Sequence, residues 1–185
     1  DIVRRIEATE ARFAVVVEGK LAHAARPDLG INAIGAAAAL IDEINARLIP
    51  ELARRSAPLL RPPTLNVAMI EGGQQPNLVP DRCRVLLERR LLPGESADGA
   101  RAEVEALFEG AGRRFAGFRA RLEPTSLEAA AFQSDPRAPR AAAAGRAAAG
   151  LGFDPEPVGV DYCTDAAVLR AAGAALPLEP TEPRP

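Results

Sequence analysis

Histidine, lysine and large aromatic residues are scarce in this sequence. Of its 185 residues, one is histidine (His23), one is lysine (Lys20), one is tyrosine and none is tryptophan, and aromatic residues amount to 4%. Hydrophobic residues nevertheless reach 48%, so a core is possible, and it must consist mainly of Ala, Leu, Val and Ile. The length suits one medium domain, or a small domain with a partial one attached.

Cysteine is also rare. The two cysteines, Cys83 and Cys163, are far apart in the sequence, and no CxxC pair is present. This pattern argues against both a disulfide framework and a zinc knuckle. We therefore expect two free, partly buried thiols.

Long apolar and long basic runs are missing as well. No stretch of about 18 apolar residues is present, which argues against a membrane span. The net charge is −2 and the charges are interspersed, so no surface for nucleic acid is indicated. The first residues, Asp1 to Arg5, precede no apolar segment typical of a signal peptide, which favours the cytoplasm.

The elements that the pattern predicts alternate in a recognisable order. Strands are expected over residues 13–18, 64–70, 82–91 and 118–122, and helices over residues 32–47 and 96–111. The order strand, helix, strand, strand, helix, strand predicts an α+β fold, a ferredoxin-like βαββαβ sandwich with a four-stranded antiparallel sheet and two helices. One sheet face is expected to pack against the helices, leaving the other for solvent or a partner.

Finer predictions concern turns and buried faces. A shorter strand over residues 2–7 would end in a turn near Thr9 and Glu10, and Ser96 is expected to cap the second helix. In the strand over residues 64–70, Leu65, Val67 and Met69 alternate with polar or small residues. The predicted apolar face of the first helix consists of Ile34, Ala37, Ala38, Ile41, Ile44 and Leu48.

The character of the sequence changes after Pro124. An Ala-rich helix is predicted over residues 137–150, a short strand near residues 158–160 and a helix over residues 164–172. The Pro-rich residues 176–185 are expected to be extended or disordered. A domain boundary is therefore expected near residues 124–128.

Three polar residues stand out as candidates for chemistry. His23 lies where a strand opens into a loop, and loops on a rigid scaffold often carry functional side chains, although a lone histidine is more often structural. Asn77 follows a Gly-Gly turn and by itself suggests a turn-forming residue. Arg90, near a strand end, could bind a carboxylate or pair with Glu88 or Asp81.

Two further side chains have simpler interpretations. The alternation of the strand places Arg89 among apolar neighbours, on the face opposite Arg90. Asp161 and Asp165 flank Tyr162-Cys163-Thr164, where capping of a helix is the preferred interpretation.

Three segments in order carry a resemblance to a known family. They are Gly19-Lys20-Leu21-Ala22-His23-Ala24-Ala25-Arg26-Pro27 with Gly30 and Asn32-Ala33-Ile34, then Glu71-Gly72-Gly73 followed by Asn77-Leu78-Val79-Pro80-Asp81, then Glu88-Arg89-Arg90 with Pro93. Together they resemble the dimerisation (lid) domain of M20 metallopeptidases and aminoacylases. A weaker resemblance to that family's catalytic domain continues to Asp161–Asp165.

The resemblance implies a domain division and site residues. Residues 1–12 would be the end of a catalytic-domain segment or a linker, residues 13–124 the lid, and residues 125–185 a partial C-terminal catalytic segment. His23 would reach across a homodimer and stabilise the oxyanion formed when a zinc-bound hydroxide attacks an N-acyl amino acid or small peptide. Asn77 and Arg90 would bind the substrate carboxylate.

The resemblance also implies a metal centre that this sequence does not supply. The family holds two zinc ions with a His-x-Asp pair, a Glu-Glu pair and a late histidine, whereas this chain has one histidine, followed by Ala24-Ala25. We therefore expect no metal ligands and no cofactor in this chain, zinc in the intact parent enzyme, and no activity from the chain alone.

Two other functions compete with the lid of an amidohydrolase. One is a non-catalytic dimerisation module, in which the same fold acts only in self-association. The other is a ligand-binding ferredoxin-like domain of the regulatory kind, which would leave the ordered occurrence of His23, Asn77 and Arg90 unexplained.

Overall fold

A computed structural model of the protein describes residues 5–7, 9–128, 132–133, 138–156 and 158–160. The strands are β1 (Arg5–Glu7), β2 (Thr9–Glu18), β3 (Ala22–His23), β4 (Leu65–Gly72), β5 (Leu78–Val79), β6 (Arg82–Leu91), β7 (Arg119–Glu128), β8 (Phe132–Gln133) and β9 (Val158–Val160). The α-helices are α1 (Ala33–Glu43), α2 (Ile49–Leu52), α3 (Ala97–Glu105), α4 (Phe108–Arg114) and α5 (Pro139–Gly150). The predictions for Asp161, Cys163, Asp165 and residues 164–185 lie outside the described residues.

The main sheet has the strand order β4-β6-β2-β7, and all its neighbours are antiparallel. With α1 between β2 and β4 and α3–α4 between β6 and β7, this is the predicted ferredoxin-like sandwich. We call the end of the sheet with Thr9, Leu91 and Glu128 the near end, and the end with Glu18 and Arg82 the far end. The fold prediction is therefore confirmed.

One turn prediction was wrong. Thr9 and Glu10 belong to β2, where they pair with Leu91 and Arg90 of β6. Once β6 extends to Leu91, continuing the ladder satisfies the backbone groups of Thr9 and Glu10 better than a turn would. β2 is consequently ten residues long, several residues longer than its apolar core suggested.

The helices cover one face of the sheet. The core between them contains Phe13, Val15, Val17, Leu40, Ile44, Val85, Leu87 and Val104, all fully buried. The predicted face of α1 was only partly right, because Ile34 and Ala38 are exposed while Ala33, Ala36 and Leu40 are buried. The small alanines allow α1 to approach the sheet closely, which turns Ile34 outwards beside Gly72 of the edge strand β4.

The first helix continues beyond its predicted end at residue 47. A π-helical turn, Ile44–Leu48, joins α1 to α2, and Pro50 follows within α2. Proline lacks an N–H and its ring crowds the carbonyl four residues earlier, so the wider turn accommodates it. In the second helical region Ser96 caps α3 as predicted, accepting a hydrogen bond from the Gly99 N–H at 3.0 Å.

A β-bulge changes the exposure of the edge strand. The register of β4 against β6 shifts between Val67 and Met69, so Met69 no longer alternates with Leu65 and Val67 as predicted. Met69 and the next residue, Ile70, are each 51% exposed. β4 therefore leaves two large apolar side chains uncovered at the edge of the sheet.

A second, small sheet adjoins the near end. Its strand β1 pairs antiparallel with β8 and parallel with β9, and β9 and α5 correspond to the strand and the Ala-rich helix predicted after Pro124. The chain enters the main sheet from β1 and leaves it towards β8, so this segment joins the main sheet at the near end. Within the described residues no helix is long and apolar enough to cross a membrane.

A buried ionic network joins β6 to the helical layer. Arg89 is fully buried, as its apolar neighbours predicted, and its Nη2 lies 3.2 Å from Glu95 and 3.4 Å from Glu103. Arg55 contacts the same two carboxylates at 2.8 and 2.6 Å. Burial raises the pKa of Glu95, but the Leu92 N–H and both arginines stabilise the carboxylate more strongly, so its pKa falls below the ordinary value.

Candidate functional site at the far end of the sheet

The loop after β2 is braced by backbone hydrogen bonds at the far end. The Gly19 N–H donates to the Asp81 carbonyl at 2.8 Å, and Lys20 and Ile31 exchange two hydrogen bonds of 2.9 Å. Further along, β3 pairs with β5, with His23 opposite Leu78. These ladders fix a loop that its composition alone would leave flexible.

His23 presents one ring nitrogen outwards. The side chain is exposed, and its Nδ1 accepts a hydrogen bond from the Ala25 N–H at 3.1 Å. A neutral imidazole that accepts at Nδ1 carries its proton on Nε2. In this arrangement the exposed His23 side chain has its Nε2 N–H left to donate to a ligand.

Asn77 lies beside His23. Its backbone carbonyl accepts a hydrogen bond from the Ala24 N–H at 2.9 Å, so the two predicted site residues lie close together. Asn77 lies in a turn, as predicted, which the Leu78 N–H closes by donating to the Gln75 carbonyl at 3.2 Å. Among the residues that the structure describes, the Asn77 side-chain amide has no hydrogen-bond partner. The far end therefore carries two polar side chains that are available to a ligand.

Arg90 lies at the opposite end of the sheet. At about 3.3 Å per residue, the eight residues from Arg82 to Arg90 place it about 26 Å from the far end. Its Nη2 lies 3.0 Å from Glu10 and 2.8 Å from Glu88, so the ion pair with Glu88 that the sequence offered as an alternative does form. The structure thus brings His23 and Asn77 together but keeps Arg90 apart from them within one chain.

Gly19 shapes the start of the loop. A Cβ at this position would lie 2.2 Å from the Ile31 carbonyl oxygen and 3.0 Å from the Pro80 carbonyl oxygen. Both obstacles are backbone atoms, which cannot move aside as a flexible side chain can. Only glycine therefore permits the close approach of these segments.

We expect Gly19→Ala to destabilise the protein by about 1–3 kcal/mol, the usual cost of overpacking, and to shift the NMR resonances of His23. Urea unfolding measures the first effect. Gly112→Ala is the matched control, because a Cβ there meets nothing within 4 Å and alanine suits a helix better than glycine. Equal stability of the two variants would contradict the steric role of Gly19.

The side chains that could bind a metal ion are those of the described acidic, cysteine and histidine residues. Across the described ranges, no group of three or more His, Cys, Asp and Glu side chains gathers in a way that could hold a metal ion. The part of the chain that the structure describes therefore does not by itself supply the ligands of a zinc pair.

Sequence reasoning missed one feature near Arg90. Glu10 is only 5% exposed and pairs with both Arg12 and Arg90. The available signal was the Glu-x-Arg spacing at residues 10–12 and 88–90, which places opposite charges face to face if the strands pair antiparallel. The sequence did not predict that Glu10 pairs with Arg90, because β2 was expected to begin at residue 13.

Fold and site together define a class of protein. The chain is a ferredoxin-like sandwich with a braced histidine loop at the far end, an uncovered edge strand, and a second small sheet joined at the near end. The sequence profile described as Peptidase dimerisation domain, from the M20 peptidases, matches residues 10–115. The chain therefore belongs to the M20 peptidase dimerisation domain family and is a dimerisation portion of an M20 hydrolase.

Individual relatives agree with this assignment. The chain is 32% identical over 95 residues to acetylornithine deacetylase of Myxococcus xanthus, covering 50% of this chain and 25% of the relative. It is 33% identical over 116 residues to the uncharacterized protein YqjE of Bacillus subtilis, covering 62% and 28%. The chain thus matches about a quarter of the length of these curated relatives.

Solved structures extend the match beyond the main sheet. The aminopeptidase PepT of Bacillus cereus superposes with a TM-score of 0.71 and 28% identity over 92% of this chain and 44% of PepT. The YXEP protein of Bacillus subtilis, described as a dinuclear metal binding peptidase of the M20 family, has a TM-score of 0.62 at 19% identity, over 92% and 42%. The second likeness concerns the fold alone.

Proposed function

We propose that this chain serves an M20 amidohydrolase that cleaves N-acyl amino acids or small peptides, and that each active site uses residues from two copies of the chain. The proposal rests on the distance between His23, at the far end of the main sheet, and the near end, where the second small sheet joins. Residues 1–12 would be the end of a catalytic-domain segment or a linker, residues 13–124 the lid, and residues 125–185 a partial C-terminal catalytic segment. The two zinc ions would be held by parts of the enzyme other than the residues described here.

The length of β2 supports a site shared between copies. Ten residues at about 3.3 Å per residue separate the two ends of β2 by about 30 Å. The catalytic segment joins at the near end, beside Arg90, whereas His23 and Asn77 lie at the far end. A second copy, placed in the opposite direction, would bring its far end to the near end of the first.

The side chains then take complementary roles. His23, protonated on Nε2, would donate to the amide oxygen as negative charge develops on it. The unpartnered amide of Asn77 would add a second donor close by. Arg90 would bind the carboxylate of the amino acid from the chain to which the catalytic segment belongs.

The edge of the sheet supports a homodimer. β4 is an edge strand of the main sheet, and it carries exposed apolar side chains on both faces. Ile70 lies opposite Val85 on the helix-covered face, where Ile34 of α1 is also exposed. Met69 lies opposite Leu86 on the other face. An edge strand with uncovered apolar residues favours association with another chain. We call this surface the β4 edge and assign it to the dimer.

We expect the chain to be a dimer in light scattering and Ile70→Glu to make it a monomer, because a charge would be buried without a partner in the interface. Leu151→Glu is the control, since Leu151 is also an exposed branched aliphatic side chain but follows α5 and belongs to neither β4 nor α1. A wild-type chain that stays monomeric at high concentration would contradict the proposed dimer.

A non-catalytic dimerisation module is the second candidate. The β4 edge favours it, because this surface would serve association whether or not His23 takes part in catalysis. The two functions differ in one result. Loss of turnover on substitution of His23, with the dimer intact, supports the enzyme, whereas unchanged turnover supports the module.

A further inference from the structure

The outer face of the main sheet, the face turned away from the helices, carries a closed ring of four charges at the near end. Arg12 contacts Glu10 at 3.0 Å and Glu88 at 3.7 Å, and Arg90 contacts Glu10 at 3.0 Å and Glu88 at 2.8 Å. Each glutamate uses one oxygen for each arginine. We call this the ion ring.

Strand pairing explains why the ring closes. Glu10 lies opposite Arg90 and Arg12 lies opposite Glu88 in the ladder of β2 and β6. Direct cross-strand neighbours on one face lie about 5 Å apart, and diagonal neighbours remain within reach of long side chains. The ring contains two arginines and two carboxylates, so the formal charges of its four members balance.

The ring already uses the part of Arg90 that a ligand needs. Both glutamates contact the same nitrogen, Nη2. A guanidinium can hold a carboxylate with two hydrogen bonds through either of two edges. One edge consists of Nε and Nη2 and the other of Nη1 and Nη2, so both include Nη2. A substrate carboxylate can therefore bind Arg90 in the bidentate way only if one glutamate leaves.

The two glutamates differ in how easily they can leave. The Glu10 side chain is 7% exposed and the Glu88 side chain is 24% exposed. Glu88 can turn into solvent, where water replaces its lost contacts, whereas a displaced Glu10 would leave its charge buried. Arg12 also keeps Glu10 in place when Arg90 changes partner.

We propose that Glu88 is an internal competitor for the substrate carboxylate at Arg90, and that Glu10 is the positioning residue that keeps the guanidinium in place when Glu88 is displaced. This inference rests on the proposed role of Arg90. A carboxylate ligand would exchange with Glu88, so the apparent affinity is reduced by the fraction of chains in which Glu88 occupies Arg90.

The test is an NMR titration of the full chain with N-acetyl-L-alanine, following the backbone amide resonances of Glu10 and Arg12, which lie beside Arg90 and are present in every variant. Glu88→Gln should raise the apparent affinity about fivefold, the scale expected for a partly exposed ion pair. N-acetyl-L-alaninamide, which lacks the carboxylate, should cause no shift. Glu88→Asp keeps the charge but shortens the side chain, and it should also raise the affinity.

Glu123→Gln is the matched control. Glu123 lies on the same face of the sheet, opposite Ala14, and pairs with Arg121 at 2.6 Å, so its substitution removes the same charge without touching the ring. An equal gain in Glu123→Gln would reduce the effect to net charge and overturn the inference. Equal affinity of wild type and Glu88→Gln, or no carboxylate-dependent shift in either, would overturn it too.

Arg90→Ala separates this inference from the proposed function. If Arg90→Ala abolishes binding while Glu88→Gln leaves it unchanged, Arg90 is the carboxylate site and only the competition by Glu88 is wrong. If binding persists in Arg90→Ala, the proposed role of Arg90 fails, and the inference fails with it. Thermal unfolding of each variant verifies that the fold is retained.

Discussion

Replacing His23 by alanine in the intact enzyme should lower kcat by about 10²–10³-fold, the usual effect of removing one oxyanion donor, while KM changes little. In the proposed role, the Nε2 donor would stabilise negative charge that develops only as the transition state forms, so its loss would act on turnover rather than on substrate binding. Steady-state kinetics on an N-acyl amino acid measures both constants. A large rise in KM at constant kcat would contradict the assignment.

Leu21→Ala is the control for this substitution. Leu21 lies in the same loop and is also exposed, but it has no group that could donate to an oxyanion. Its kcat should stay within about threefold of wild type, because apolar surface side chains outside the chemistry contribute little to catalysis. A comparable loss in Leu21→Ala would point to loop packing instead of hydrogen bonding.

Mixed dimers test whether two copies share one site. If a site combines Arg90 of one copy with His23 of the other, a dimer of one His23→Ala chain and one Arg90→Ala chain contains one intact site. Mixing the two inactive variants should then restore part of the activity. If both residues of a site came from the same copy, every site in the mixed dimer would lack one of them, and no activity would return.

Of the substitutions proposed, removal of the buried Arg89 should cause the largest loss of stability. Arg89→Ala is expected to lower the free energy of unfolding by about 3–5 kcal/mol, the cost of breaking a buried ion pair by deleting one partner. Glu95 and Glu103 would keep only Arg55 as a counter-charge. Arg113→Ala, which breaks an exposed pair with Glu109, is the control and should cost less than about 1 kcal/mol.

The same network gives stability a pH dependence. Because the folded state lowers the pKa of Glu95, the ionised carboxylate contributes stability above its ordinary value of 4.5 and loses that contribution as the pH falls through the lower folded value. Arg89→Ala should reduce this acid dependence. Urea unfolding at pH 7 and at about pH 3 measures it, and an unchanged slope in Arg89→Ala would contradict the contribution of Arg89.

Much of the fold followed from the sequence. The alternation in residues 82–91 predicted the bounds of β6, and the burial of Arg89 followed from its place in that alternation. Ser96 was recognised as a helix cap from residue type and position alone. These features depend on local chemistry, which a single segment carries within itself.

The remainder depended on contacts between distant segments. The apolar face of α1 was predicted incorrectly at Ile34 and Ala38. Both residues fit the helical spacing, but which side of α1 is buried depends on where the sheet ends at β4. Met69 was misjudged because a bulge depends on the partner strand. The separation of Arg90 from His23 and Asn77 likewise became visible only with the strand order.

The distance between His23 and the near end also has a mechanical consequence. β2 acts as a lever arm of about 30 Å, so a rotation of 5° about the junction with the catalytic segment would displace His23 by about 2.6 Å. Misplacement of a catalytic group by about 1 Å can already cost about a hundredfold in rate. If two copies share a site as proposed, the stiffness of the junction would control the alignment of the hydrogen bond that His23 makes in the other subunit.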